Sequence, residues 1–134
     1  MSQENLDVVR RAHEAFNRRD VDAFLDDADP NLVWDWSRAI GPDREIFRGR
    51  DEVVRFIRSW WEAFDESVVV VDELIDAGDQ VVFVFHGRQR GRGSGAEIEG
   101  RGSLLVWTFW GGKIVKGTLY QTRAEALEAV GLSD

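Results

Sequence analysis

Four side chains in this chain of 134 residues are of the types that move protons or hold a carbonyl: Asp35, His13, His86 and Tyr120. Asp35 stands between Trp34 and Trp36. A carboxylate partly shielded from water by such groups can carry a proton between carbon atoms of a bound substrate. The three residues alternate along an extended segment, so Asp35 faces a cavity if the tryptophans pack outward and faces away if they do not. His13 recurs with Leu6, Val9 and Phe16 at helical spacing; it is either a hydrogen-bonded wall histidine or an acid-base group. His86 shares strand parity with Val82, Val84 and Arg88, and that face either looks into the cavity or lies on the far side of the sheet. Tyr120 is the only tyrosine. Its hydroxyl either donates to a bound carbonyl or is satisfied in the core.

These groups need elements to hold them, and the periodicity supplies the order. Residues 3–18 read as an amphipathic helix with Ser2 as its cap and Glu4 in its first turn. Asp20 can cap a second short helix carrying Val21, Phe24 and Leu25, which ends before Pro30. Leu32 to Trp36 is β-prone, and Ser37 to Arg48, with Gly41-Pro42-Asp43 inside it, reads as a long loop. Val53, Phe56, Ile57, Trp60 and Phe64 form one stripe of a third helix over 51–64, with Trp61 off its centre.

The second half changes period. Strands are expected at 68–75, 80–90, 96–110 and 113–122, with two-residue hairpins at Gly78-Asp79 and Gly111-Gly112. Along the third of these, Glu97, Glu99, Arg101, Ser103, Leu105, Trp107 and Phe109 would share a face, placing Glu99 or Arg101 either at a cavity mouth or in wet cross-strand pairs. The Gly91-Arg92-Gly93-Ser94-Gly95 stretch joins two strands, and no helix follows it as a phosphate-cradling loop requires. Arg123 to Val130 is a closing helix stopped by Gly131.

Composition narrows the chemistry further. The length suits a single domain over 1–134, with a real core. With 17 basic and 25 acidic residues, net charge −8, the chain is not expected to seek nucleic acid or anionic lipid. It has no cysteine, so thiolate chemistry and sulfur-ligated zinc are excluded; no cofactor motif is present and no metal is expected from two histidines. The N-terminal stretch is acidic and amphipathic, and a cytoplasmic location is expected.

The pieces EAFNRRDVDAF, NLVWDW, DEVVRFIRSWWEAF, GSLLVWTFWGGKIVKG and YQTRAEALEAVGL resemble the SnoaL-like branch of the NTF2-like (nuclear transport factor 2-like) superfamily, over roughly residues 5–132. The resemblance implies an α+β cone: a curved, mostly antiparallel sheet wrapped around three helices from the N-terminal half, enclosing one pocket. It also implies a homodimer and a small apolar organic ligand. The apolar wall would draw on Phe16, Trp34, Phe56, Trp60, Leu105 and Trp107.

Two functions fit. One is a cofactor-independent acid-base enzyme of the isomerase, cyclase or hydrolase class, acting on a cyclic or polyketide-like compound, with Asp35 as base, helped by His13, His86 or Tyr120. The other is a non-catalytic ligand-binding or dimerisation module. Val33-Trp34-Asp35 is similar in place to the base of ketosteroid isomerases, but the oxyanion donors of that family fall near Ala12 and Leu105. Neither side chain can donate a hydrogen bond, so a steroid-isomerase mechanism is not expected. The acidic residue that polyketide cyclases carry near the end of the last strand is missing from Thr118-Leu119-Tyr120-Gln121-Thr122, and no Asp-Arg-Asp relay of the hydrolase type assembles.

Overall fold

The computed structural model describes residues 2–40, 44–91, 97–99 and 102–133. The expected turn at Gly41-Pro42-Asp43, most of the glycine-rich hairpin after Gly91, and Arg101 lie outside the described residues, as do the side chains of Ser2, Glu97 and Glu99.

Helix α1 (Ser2–Asn17) presents Val8, Val9, Ala12 and Ala15 to the core. It ends where Arg19 takes a left-handed φ of 59° and the Asp20 N–H returns to the Ala15 carbonyl. Asp20 then caps α2 (Val21–Phe24), its carboxylate accepting from the Ala23 N–H at 3.1 Å and satisfying a donor that the short helix leaves open. Strand β1 (Ala28–Asp35) begins earlier than its β-prone run suggests and includes Pro30. The ladder tolerates that proline because its register slips between Ala28 and Val33, where a missing N–H costs no pairing. The segment read as one long loop contains a further strand, β2 (Ile46–Arg48), which pairs antiparallel with β1.

Helix α3 (Gly49–Ala63) starts two residues earlier than expected, and Glu52 reaches back to accept from the Arg48 N–H at 3.0 Å. Trp61 is buried and packs on Phe16 at 5.4 Å, whereas Trp60, at the centre of the sequence stripe, is half-buried and donates its indole N–H to Ser67.

Strand β3 (Phe64–Asp76) follows α3 directly and turns through Gly78, φ 78°, into β4 (Gln80–Gly91). The expected single strand over 96–110 is two segments, β5 (Glu97–Glu99) and β6 (Ser103–Trp110). Arg88 of β4 faces Glu99 while Phe85 faces Ser103, so three steps on β4 oppose four on the other side. One extra residue inverts the alternation. Glu97 and Glu99 therefore occupy register positions opposite Arg90 and Arg88, and they do not share a face with Leu105 and Trp107.

Gly111 and Gly112, both at positive φ, make the tight turn into β7 (Lys113–Tyr120). Helix α4 (Arg123–Ala129) is capped by Thr122 and closed at Gly131 by the paired bonds Gly131 N–H to Glu128 O and Leu132 N–H to Leu127 O.

The strands form one unclosed sheet in the order β2-β1-β7-β6-β4-β3, with β5 added on β4; among the described residues only the β1–β7 pairing is parallel. The inner face carries Trp34, Leu119, Leu105, Trp107, Val81 and Phe83 against α1, α2 and α3. The outer face carries a smaller apolar cluster, Val82, Leu104 and Val106, covered by Ala126 of α4. The α+β architecture, with a curved sheet around three N-terminal helices, is thus the one expected.

Candidate functional site

The inner face and the helices do not close completely. They leave a cavity of about 380 Å³ between α1, α3 and the strands, within the range of small-ligand sites. From α1 come Ala12, His13 and Phe16; from α3 Phe56, Ile57 and Trp60. Trp34 and Trp36 enter from β1 and the residue after it, and Leu105 and Trp107 from β6. All six residues named as an apolar wall from the sequence, Phe16, Trp34, Phe56, Trp60, Leu105 and Trp107, line this cavity.

The wall is held by aromatic contacts with defined angles. Trp34 and Trp107 meet edge to face at 5.5 Å, and Phe24 touches both, at 5.9 and 6.1 Å. Trp36 stacks obliquely on Phe56 at 4.9 Å, and Phe56 on Phe47 at 4.6 Å. Trp34 can lie flat on the sheet because Gly117 stands beneath it: a Cβ there would collide with the indole ring. The indole N–H groups of Trp34, Trp36 and Trp107 are buried without an acceptor among the described residues. Each such group forgoes about 1–3 kcal/mol of desolvated hydrogen bonding, which marks the wall as built for ring packing rather than polar satisfaction.

Polar groups in the wall are few, and among the described residues the one ionisable side chain is His13. His13 places Nε2 2.6 Å from the Val69 carbonyl oxygen and packs its ring 5.6 Å from Phe83. Ser103 lines the cavity from β6, and Gln89 from β4. Gln121, just past β7, uses its Nε2 to hold the Arg38 carbonyl at 3.0 Å. Trp36, Phe85, Gln89 and Gln121 were not singled out from the sequence. The parity of Phe83, Phe85, Gly87 and Gln89 is the signal that could have found the β4 members.

Three of the four polar candidates stand elsewhere. Asp35 follows Trp34 on the strand, so once that indole turns inward the carboxylate faces the outer side, opposite Thr118 of β7. There Oδ1 accepts from the Ser37 hydroxyl at 2.6 Å and the Ser37 N–H at 3.0 Å, and Oδ2 lies 3.9 Å from Arg38. Burial pushes this carboxyl up, but the two Ser37 hydrogen bonds, with Lys116 and Arg38 nearby, outweigh it and hold Asp35 below the ordinary carboxylate value. A carboxylate so stabilised and so placed is ill suited to take a proton from a molecule in the cavity.

His86 is on the outer face of β4, where Nδ1 meets Asp72 at 2.9 Å. Asp72 is the residue inserted where the β3–β4 register slips between Val71 and Glu73, and that bulge brings it to the histidine. Tyr120 belongs to the outer apolar cluster, with the Arg38 guanidinium 4.8 Å above its ring. The structure therefore brings His13 together with the aromatic wall and sets Asp35, His86 and Tyr120 on the other side of the sheet. Among the described residues no group of His, Asp or Glu is arranged to hold a metal ion, and no helix is long and apolar enough to cross a membrane.

The sequence profile of the SnoaL-like domain matches residues 9–117. An NTF2-like protein from Burkholderia thailandensis is 30% identical, superposes with a TM-score of 0.77, and is matched over 87% of this chain and 88% of that one. An NTF2-like protein of unknown function from Burkholderia pseudomallei is 27% identical, with a TM-score of 0.74 over 95% of this chain and 97% of that one. TerC, co-crystallised with polyporic acid, shares the fold at 17% identity, with a TM-score of 0.74 and coverage of 96% and 98%. No curated protein matches the sequence.

Proposed function

The chain belongs to the SnoaL-like domain family of NTF2-like proteins, and from that premise we propose that it binds a flat, largely apolar ring compound in the cavity between α1, α3 and the inner face of the sheet. One observation carries this reading: a cavity of about 380 Å³ walled by indole and phenyl rings, with the nearest candidate acid turned to the opposite face. Flat rings stack on such walls at small entropic cost. TerC, similar in fold, was crystallised with an organic ligand, which supports the reading for this scaffold.

A cofactor-independent isomerase, cyclase or hydrolase is the second reading. The observation that favours it is His13 in the wall, which would then replace Asp35 as the acid-base group. A homodimer through the outer face is supported by Val68, 43% exposed on β3 beside the half-buried Val70; light scattering that gives a monomer at micromolar concentration counts against it.

Ligand binding is tested by the tryptophan emission of the protein during titration with 1,4-naphthoquinone. Saturable quenching is expected, and it should disappear in Ser103→Phe, which fills the cavity from a half-buried position without removing a core side chain. Quenching that fails to saturate, or that Ser103→Phe leaves intact, overturns the reading.

A further inference from the structure

Besides the three unpaired indole N–H groups, two polar side chains in the cavity wall have hydrogen-bonding capacity that the fold leaves unused, and both reach the same rung of the sheet, where Val69 of β3 pairs with Gly87 of β4. The first is His13. The Val69 N–H donates to Asn17 Oδ1 at 2.8 Å, which fixes the Asn17 amide so that its Nδ2 donates to the Val69 oxygen at 3.0 Å. His13 Nε2 approaches the same oxygen at 2.6 Å. A carbonyl oxygen only accepts, so Nε2 carries the hydrogen, and in the neutral ring Nδ1 is left with a lone pair. The 3.1 Å approach of Nε2 to Asn17 Nδ2 is then two donors sharing one carbonyl. Nδ1 has no hydrogen-bond partner among the described residues.

The second is Gln89. Its side chain folds back along β4 so that its carboxamide nitrogen fills the space a Cβ on Gly87 would take. Gly87 thus provides the room that brings the amide over the Val69–Gly87 rung, on the side to which His13 is tied through Val69. The Gln89 carboxamide also has no hydrogen-bond partner among the described residues.

We propose that His13 Nδ1 and the Gln89 carboxamide form a recognition corner for a ring compound that carries an acidic hydroxyl beside a carbonyl. The inference rests on the reading of the cavity as a ligand site. An acidic hydroxyl of this kind is ionised in neutral solution, so Nδ1 takes up a proton on binding and donates it to the oxyanion, while the carboxamide N–H donates to the neighbouring carbonyl oxygen. A ring bearing only one of these groups leaves the other side chain unsatisfied. The aromatic wall takes the remainder of the ring system. The Val69 carbonyl sets the tautomer and tilt of His13 in the way a backbone acceptor orients a working imidazole.

Three probes of one shape separate the possibilities: 2-hydroxy-1,4-naphthoquinone, its 2-methoxy ether, and unsubstituted 1,4-naphthoquinone, each titrated against tryptophan emission. The hydroxy compound is expected to bind about tenfold more tightly than the ether. His13→Phe should abolish that preference, bringing the hydroxy compound to the affinity of the ether, and the fold is kept because Asn17 still satisfies Val69. Gln89→Leu should weaken all three about equally, and near-ultraviolet circular dichroism confirms that each variant is folded. Equal affinity of the wild-type protein for the hydroxy and methoxy compounds, or a preference that survives His13→Phe, overturns the inference and leaves the cavity reading standing. An absence of saturable quenching by every probe removes both.

Discussion

On the inner face of the sheet, Trp34, Phe83, Leu105 and Trp107 meet the helices and a cavity in which His13 is the sole titratable side chain among the described residues. On the outer face, one residue away in parity, Asp35, Asp72, His86, Lys116 and Tyr120 satisfy one another or the solvent around a much smaller apolar patch. The candidate acid and the cavity are therefore neighbours in sequence and strangers in space. Type and position along the chain suggested chemistry for Asp35, but alternation assigned it to stability.

The contrast can be broken by substitution, and the largest effect should come from the inner face. Trp107→Ala removes the ring that touches Phe24, Trp34 and Phe83, and should cost about 3–5 kcal/mol in urea unfolding. A loss under 1 kcal/mol, in the range of surface substitutions, would mean that the wall is not the core.

Asp35→Asn should have an intermediate effect, about 1 kcal/mol at pH 7 from weakened hydrogen bonds with Ser37. Because the folded-state value of Asp35 is below the ordinary 3.8, its ionised form contributes fully above that pH, and the contribution is lost as pH falls below 3.8 through the lowered value. The gap between wild type and variant should therefore close on acidification, and 1,4-naphthoquinone affinity should not change. A changed affinity would put the carboxylate back in the cavity.

The smallest effect belongs to the pair at the β3 bulge. Asp72→Asn should cost under about 1 kcal/mol, because the carboxylate that meets His86 is nearly half exposed. A larger loss, read in the same unfolding experiment, would show that the outer face holds more of the fold than its exposure implies.

Much of the architecture was legible because burial on one side leaves a period behind. The helical stripes of α1 and α3, the cap at Asp20 and the two glycine turns follow from local chemistry, and the six wall residues follow from those stripes and strands. What could not be read was parity where both faces are apolar. On β4, Val82 and Val84 pack under α4 while Phe83 and Phe85 line the cavity, so hydrophobicity alone does not say to which side His86 turns. On β1 the information was present: Leu32, Trp34 and Trp36 share one parity, and the bulkier set goes inward, taking Asp35 out. The extra residue between Glu99 and Ser103 has no signal in composition, although Gly100 and Gly102 mark the stretch as one where a ladder can slip. The role of Gln89 depends on a glycine two positions earlier, a relation visible only once the side chain is seen to fold back.

The end of α1 has a further consequence. Strand β3 is an edge of an unclosed sheet, and along it Arg19 takes the carbonyls of Phe64 and Asp65 while Asn17 and His13 take the backbone groups of Val69. A stranger's extended segment that tried to add itself there would find those groups already bonded to side chains. The helix that supplies part of the ligand wall, with the turn after it, thus also acts as a selvedge over the Phe64–Val69 stretch of a border at which an open sheet is prone to recruit other chains into fibres.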